Sequence, residues 1–201
     1  MNRDAVEALC ESFGDVSLEA PAVRAYKQLV ARVDEEVGRL VRLHEPHLRC
    51  RPGCDACCHV ERTVNRLEAY WIWQALSTSR PLLPEPQPGR CALLVDRLCA
   101  LYPARPILCR THGLPLVYFD RGEIGVTHCQ LNFKYLDAGG FEASEVLEMA
   151  PINARLLELD RQFCQQHLRR PWDPQLRVPL AELVTTYNER SRTPNQKREP
   201  L

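Results

Sequence analysis

Apolar residues along this chain change their period from one stretch to the next. Between Ser17 and His44, Val23, Tyr26, Val30, Val33, Val37, Leu40 and His44 follow steps of three and four, with acids and arginines between them. That spacing predicts one buried face of a long helix. Pro21 suits its first turn, where a missing N–H costs nothing. Pro46 and Pro52 bar its continuation. A shorter amphipathic piece, Asp4 to Phe13, precedes it and stops at Gly14. A second helix is predicted from Asn65 to Leu76, with Leu67, Tyr70 and Trp71 in its stripe. Asn65 with Glu68 three residues on resembles a capping box. A long run from Ala143 to Leu168 reads as helix, and Pro151 either kinks it or marks its true start. A last helix covers Leu180 to Tyr187.

Between these helices the pattern differs. Leu116 to Phe119, then Asp120-Arg121-Gly122-Glu123, then Ile124 to Thr127 predict a β-hairpin with a Gly-containing turn. Pro81, Pro84, Pro86, Pro88 and Gly89 mark an extended connection. From Arg90 to Arg110, Cys91, Leu94, Leu98 and Leu101 are only partly periodic, and Pro103 and Pro106 break anything longer. Gly139-Gly140 closes the region. The expected fold is mainly α, with an irregular cysteine-rich metal-binding centre and a small β-hairpin packed among helices. One domain is expected over 1–188, with a core at 50–129 and flanking helices in 1–45 and 142–188. A polar tail, 189–201, is expected to be flexible.

Composition adds chemistry to this outline. Lys and Arg number 26, Asp and Glu number 26, so the formal net charge is zero. A nucleic-acid binder would normally be basic, so none is expected as a partner. No run of apolar residues is long enough to span a membrane. The first residues carry acids throughout and show no signal-like apolar core. A soluble chain in the reducing cytoplasm follows as the expectation. There, clustered cysteines point to metal or redox chemistry rather than to a secreted disulfide scaffold.

Eight of the ten cysteines lie between 50 and 129: Cys50, Cys54, Cys57, Cys58, Cys91, Cys99, Cys109 and Cys129. Crowded thiolates repel one another, and a cation relieves them. Short spacings let one loop wrap one centre, and Pro52-Gly53 supplies the bend. Four thiolates complete either a tetrahedral zinc site or a [4Fe–4S] cluster. The adjacent pair Cys57-Cys58 rarely serves one small ion, so a second centre or a spare thiol is open. Cys10 and Cys164 sit on helical patterns and read as small buried hydrophobes. Five of the six histidines lie near cysteines in sequence, where hydrogen bonds to thiolates are expected more than ligation. Arg105 and Arg110 are candidates for offsetting the negative charge of such a centre. A Cys109–His112 nucleophile would need an unligated, exposed thiol.

The run Cys50-Arg-Pro-Gly-Cys54-Asp-Ala-Cys57-Cys58, then Cys91, then Cys99-Ala-Leu-Tyr102-Pro-Ala-Arg105-Pro106-Ile-Leu-Cys109-Arg110, resembles the YkgJ-type cysteine-cluster family, the zinc- or iron-chelating CxxCxxCC domain. The resemblance covers Cys50 to Cys129. It implies metal chelation without naming the metal, and some members carry iron–sulfur oxidoreductase labels. A related cysteine region occurs in flagellin lysine methylases. This chain departs in having three residues between its first two cysteines, which leaves Cys50 less secure as a ligand. That same spacing, Cys50-x3-Cys54-x2-Cys57, is similar to the signature of radical S-adenosylmethionine enzymes, although no repeated strand–helix units surround it. The expectation is an iron–sulfur protein with a redox or accessory enzymatic role and a protein or redox partner. The alternatives are a zinc-stabilised interaction module, a radical S-adenosylmethionine-like or methylase-related enzyme, and a metal carrier or sensor.

Overall fold

The computed structural model describes residues 1–120, 123–134 and 140–192. The chain is mainly α-helical, with three small sheets among the described residues. Six helices are α1 (Arg3–Ser12), α2 (Pro21–His44), α3 (Arg66–Ser79), α4 (Ile107–Thr111), α5 (Met149–Gln166) and α6 (Leu180–Arg192). Among the described residues, no helix is long and apolar enough to cross a membrane.

The helix starts follow from local chemistry. Pro21 stands in the first turn of α2. Pro151 lies in the first turn of α5, so it marks that helix's true start, and Ala143–Glu145 is a separate short 3-10 turn. Asn65 caps α3 by accepting the Glu68 N–H at 2.8 Å. The Glu68 carboxylate also reaches across the fold to accept the Ile107 N–H at 2.9 Å, which holds the start of α4. Burial pushes the Glu68 pKa up, against the opposing Ile107 N–H and Arg177 charge. α6 runs on to Arg192, beyond the expected end at Tyr187, so the first part of the polar tail is helical. Residues 193–201, the Arg121-Gly122 turn and Gly139 lie outside the described residues.

One continuous hydrophobic core draws on every helix but the far side of each. Phe13, Tyr70 and Phe163 meet in its centre, with ring centroids 5.4 Å (Phe13–Tyr70) and 5.3 Å (Tyr70–Phe163) apart. The Tyr70 hydroxyl donates to the Val16 carbonyl at 2.9 Å, so the burial leaves no orphaned polar tip there. Each such aromatic contributes about 1.5–3 kcal/mol through burial. α2 packs on α5 and α4, α1 on α6, and α3 on α5 and α6. Val30 and Val37 of the expected stripe are only partly buried, and Leu29 takes a core place instead.

The strands are β1 (Thr63–Val64), β2 (Leu94–Val95), β3 (Leu98–Cys99), β4 (Leu116–Asp120), β5 (Glu123–Thr127), β6 (Leu147–Glu148) and β7 (Val178–Pro179). β4 and β5 form the expected antiparallel hairpin, Leu116 opposite Thr127. β6 adds in parallel on the other side of β4, Leu116 opposite Leu147. β2 and β3 form a second, unexpected hairpin in the stretch read as irregular. Its two turn residues, Asp96 and Arg97, both have positive φ, at 46° and 64°. That is the backbone a two-residue hairpin demands. β1 and β7 pair where the chain enters α3 and α6.

Candidate metal centre

Three stretches of chain bring the cysteines together. The first is the loop 50–58. Arg51-Pro52-Gly53-Cys54 makes a tight turn, closed by the Cys54 N–H on the Arg51 carbonyl at 2.9 Å. Gly53 sits at φ 86°, a conformation that only glycine adopts freely and that this turn type requires. A 3-10 turn, Ala56–Cys58, follows. The second stretch is the β2–β3 hairpin, with Cys91 just before it and Cys99 at its end. It is stitched to the first loop by the Cys91 N–H on the Cys58 carbonyl at 2.8 Å. The third is α4, which carries Cys109.

Five sulfurs from these stretches act on one another: Cys57, Cys58, Cys91, Cys99 and Cys109. The Cys57 thiol hydrogen-bonds the Cys58 sulfur, which lowers the Cys58 pKa and raises that of Cys57. The sulfurs that push Cys58 the other way are those of Cys91, Cys109 and Cys99. Burial pushes the Cys91 and Cys99 thiols up, while the backbone N–H groups of Leu93 and Leu101 respectively act in the opposite direction. Burial pushes the Cys109 thiol up to about 12. Backbone donors of this kind favour the thiolate, the form that binds metal.

A cation stands beside the sulfurs. Arg62 donates to the Cys57 carbonyl at 2.5 Å. Its charge also favours the thiolates of Cys57, Cys91 and Cys109. Nothing in the sequence singled out Arg62, which lies past the cysteine run and outside the Arg-Pro motif. Arg105 lies against the Tyr102 ring, 3.5 Å from its centroid, and favours the Cys99 thiolate. Arg110 is placed elsewhere. Its side chain is 5% exposed and pairs with Asp34 of α2 at 2.7 Å. It also donates to the carbonyls of Arg105 and Pro103. Arg110 therefore anchors the Tyr102–Cys109 segment to α2 rather than facing sulfur.

Cys50, Cys54 and Cys129 form a second set. The sulfurs that raise the Cys50 pKa, after burial, are those of Cys129, Cys54 and Cys57. Cys57 thus stands between the two sets. Asn132, fully buried, ties this end together. Its Oδ1 accepts the Arg49 N–H at 2.8 Å, and its Nδ2 donates to the Gly113 carbonyl at 2.7 Å and to Cys50 Sγ at 3.4 Å. Gly113 has φ 107°, and a Cβ there would sit 2.9 Å from Cys50 Sγ. Gly113→Ala is therefore expected to expel Cys50 and cost about 1–3 kcal/mol through strain and overpacking. Faster alkylation of Cys50 and a lowered Tm would show it. An unchanged rate and Tm would contradict the packing described.

Three histidines, His44, His47 and His128, gather around Phe133 at this end. His44 is buried, with Nε2 2.7 Å from the Glu145 carbonyl, and its ring meets Phe133 edge-on at 5.1 Å. His128 lies 5.0 Å from Phe133, and His47 stacks on the same ring at 6.1 Å. His59 pairs with Asp55 at 3.3 Å. Burial pushes the His112 pKa down, and Arg62 adds to this. Cys10 and Cys164 are packed in helices α1 and α5, with thiols pushed up by burial to about 12. They behave as the expected core residues.

Among the described residues, no group of three or more His, Cys, Asp or Glu side chains is arranged to hold a metal ion as it stands. The donor set itself fits a thiophilic metal: soft sulfurs from three stretches of chain, with a guanidinium beside them.

No family model, curated protein or solved structure matches this chain. The functional reading therefore rests on its own residues.

Proposed function

We propose that this protein holds a thiolate-bound metal centre, an iron–sulfur cluster in preference to zinc, and works as a redox or accessory enzyme. The observation that carries the reading is that three separate stretches of chain, the loop 50–58, the β2–β3 hairpin and α4, bring Cys57, Cys58, Cys91, Cys99 and Cys109 close enough for their charges to act on one another, beside the Arg62 guanidinium. Thiolates gathered in this way repel one another, and a bound metal cation relieves them.

The four ligands in this reading are Cys58, Cys91, Cys99 and Cys109. Cys58 is the better of the adjacent pair, because Cys57 donates to it. Cys57 then stands free to join Cys50, Cys54 and Cys129. Four thiolates on a dicationic core carry a net charge of about −2, which Arg62 offsets without competing as a ligand. When bound, the cluster would supply one-electron transfer. A surplus of thiols beyond four, and the iron–sulfur labels that some members of the resembled family carry, favour iron over zinc. The family labels, the cytoplasmic setting and a redox or protein partner belong to the same proposal.

Zinc has one observation in its favour. The loop 50–58 buries none of its residues, and a structural zinc would hold it. Protein purified without oxygen separates the readings. About four irons and four sulfides per chain, with a broad band near about 400 nm, would support the cluster. One colourless zinc per chain would make the centre structural and turn the search to protein partners. Loss of neither metal nor stability on chelation, with no metal at isolation, would end both readings.

A further inference from the structure

A cavity of about 360 Å³ lies between α3, α4, β4 and α5, away from the sulfurs. One end is polar. Asn65 is 2% exposed, and its Nδ2 is a buried donor with no partner. Its Oδ1 is already committed to the Glu68 N–H, so the amide cannot turn to satisfy Nδ2. The carboxylate of Glu68, also buried, lines the same end. Arg177 reaches it from the segment before α6, close enough for its charge to act on Glu68. The other walls are mostly apolar, Leu108 of α4 with Met149 and Leu157 of α5, interrupted by Tyr118 of β4 and Asn153 of α5.

A buried amide N–H left unpaired costs about 1–3 kcal/mol, and folded proteins rarely carry one without a partner. The cavity also holds an anion and a cation at one end and hydrocarbon at the other. Few small molecules match all three features. We propose that this cavity binds a free α-amino acid with an apolar side chain. Its ammonium faces Glu68, its carboxylate takes Arg177 and the unpaired Asn65 Nδ2, and its side chain fills the space between Leu108, Met149 and Leu157. The volume falls within the usual range for small-molecule sites, about 300–1,000 Å³. The inference does not depend on the metal, since no cysteine lines the cavity.

Calorimetric titration of the full chain, as purified with any metal it carries, tests the proposal. The probes are L-leucine, L-phenylalanine, leucinamide (no carboxylate) and 4-methylpentanoate (no ammonium). Leucine or phenylalanine is expected to bind with a Kd tighter than about 1 mM. Leucinamide and 4-methylpentanoate are each expected to bind at least about tenfold more weakly, a difference of about 1.4 kcal/mol. Leu157→Trp should abolish binding by filling the space, and because Leu157 is 37% exposed the fold should keep its Tm. Glu68→Gln keeps an acceptor for the Ile107 N–H and should weaken leucine and leucinamide, leaving 4-methylpentanoate unchanged. Arg177→Met should weaken leucine and 4-methylpentanoate, leaving leucinamide unchanged. No saturable binding of either amino acid at about 10 mM would overturn the proposal. So would 4-methylpentanoate binding as tightly as leucine, or leucine binding undisturbed by Leu157→Trp in a folded variant.

Discussion

Cys91→Ser is expected to strip the centre of its metal. Cys91 is 7% exposed and lies at the junction of two stretches, its N–H bonded to the Cys58 carbonyl. A serine hydroxyl is a harder, weaker ligand for iron or zinc and does not ionise at neutral pH. The remaining sulfurs of Cys58, Cys99 and Cys109 cannot close a four-ligand site. Loss of an outer hydrogen-bonding partner alone costs metal sites about 10–100-fold, so loss of a ligand should exceed the upper figure. Metal-binding energy is also folding energy for the loop 50–58, in which no residue is buried. That loop should therefore become open to protease while the helices, α3 and α4 included, stay folded. Cys10→Ser is the control, since Cys10 packs in α1 and belongs to neither sulfur set. Metal content by elemental analysis and limited proteolysis are the measurements. Full metal content and native protease resistance in Cys91→Ser would remove the four-cysteine assignment.

The second large effect lies away from sulfur. Asp160→Ala is expected to lower stability by about 2–5 kcal/mol while metal stoichiometry holds. Asp160, on α5, is buried, and both its oxygens are used. Oδ1 accepts the Leu67 N–H at 3.0 Å, in the first turn of α3, and Oδ2 accepts the Trp172 indole N–H at 2.9 Å. Alanine orphans both donors, at about 1–3 kcal/mol each. It also removes a negative charge from the N-terminal end of a helix, where the macrodipole favours one. Asp160→Asn should cost less, since its single oxygen serves one donor. For a chain of this size the expected fall in Tm for alanine is about 5–15 °C. A shift under about 2 °C would mean that these donors find water or other partners.

These two sites were unequally legible in the sequence. Cysteine density announced a metal-type region because thiolates at short spacing need a cation. Spacing alone could not divide the sulfurs, and it grouped Cys50, Cys54, Cys57 and Cys58 as one run. In the fold, Cys57 and Cys58 join Cys91, Cys99 and Cys109, while Cys50 and Cys54 face Cys129. Arg110 carried the motif yet serves Asp34, and Arg62 carried none yet stands beside the sulfurs. Asp160 falls inside the run read as helix, with nothing local to mark it. Its partner Leu67 lies 93 residues away, beyond any local pattern.

What the sequence by itself determined is local. The 3–4 steps of α2, the Asn65 cap of α3, the proline starts of α2 and α5, and the β4–β5 hairpin all rest on neighbours within a few residues. Backbone hydrogen bonding repeats on that scale, so side-chain pattern and turn residues report it directly. Burial of Cys10 and Cys164 followed from the same periodicity. Only the tertiary structure decided the rest: the parallel pairing of β6, the division of the sulfurs, the Glu68–Ile107 bond that seats Cys109's helix, and the orphaned Asn65 amide in its cavity. Each of these joins residues far apart in the chain. Their meeting depends on how whole helices pack, and a two-residue strand or a single buried carboxylate leaves no periodic trace from which to read it.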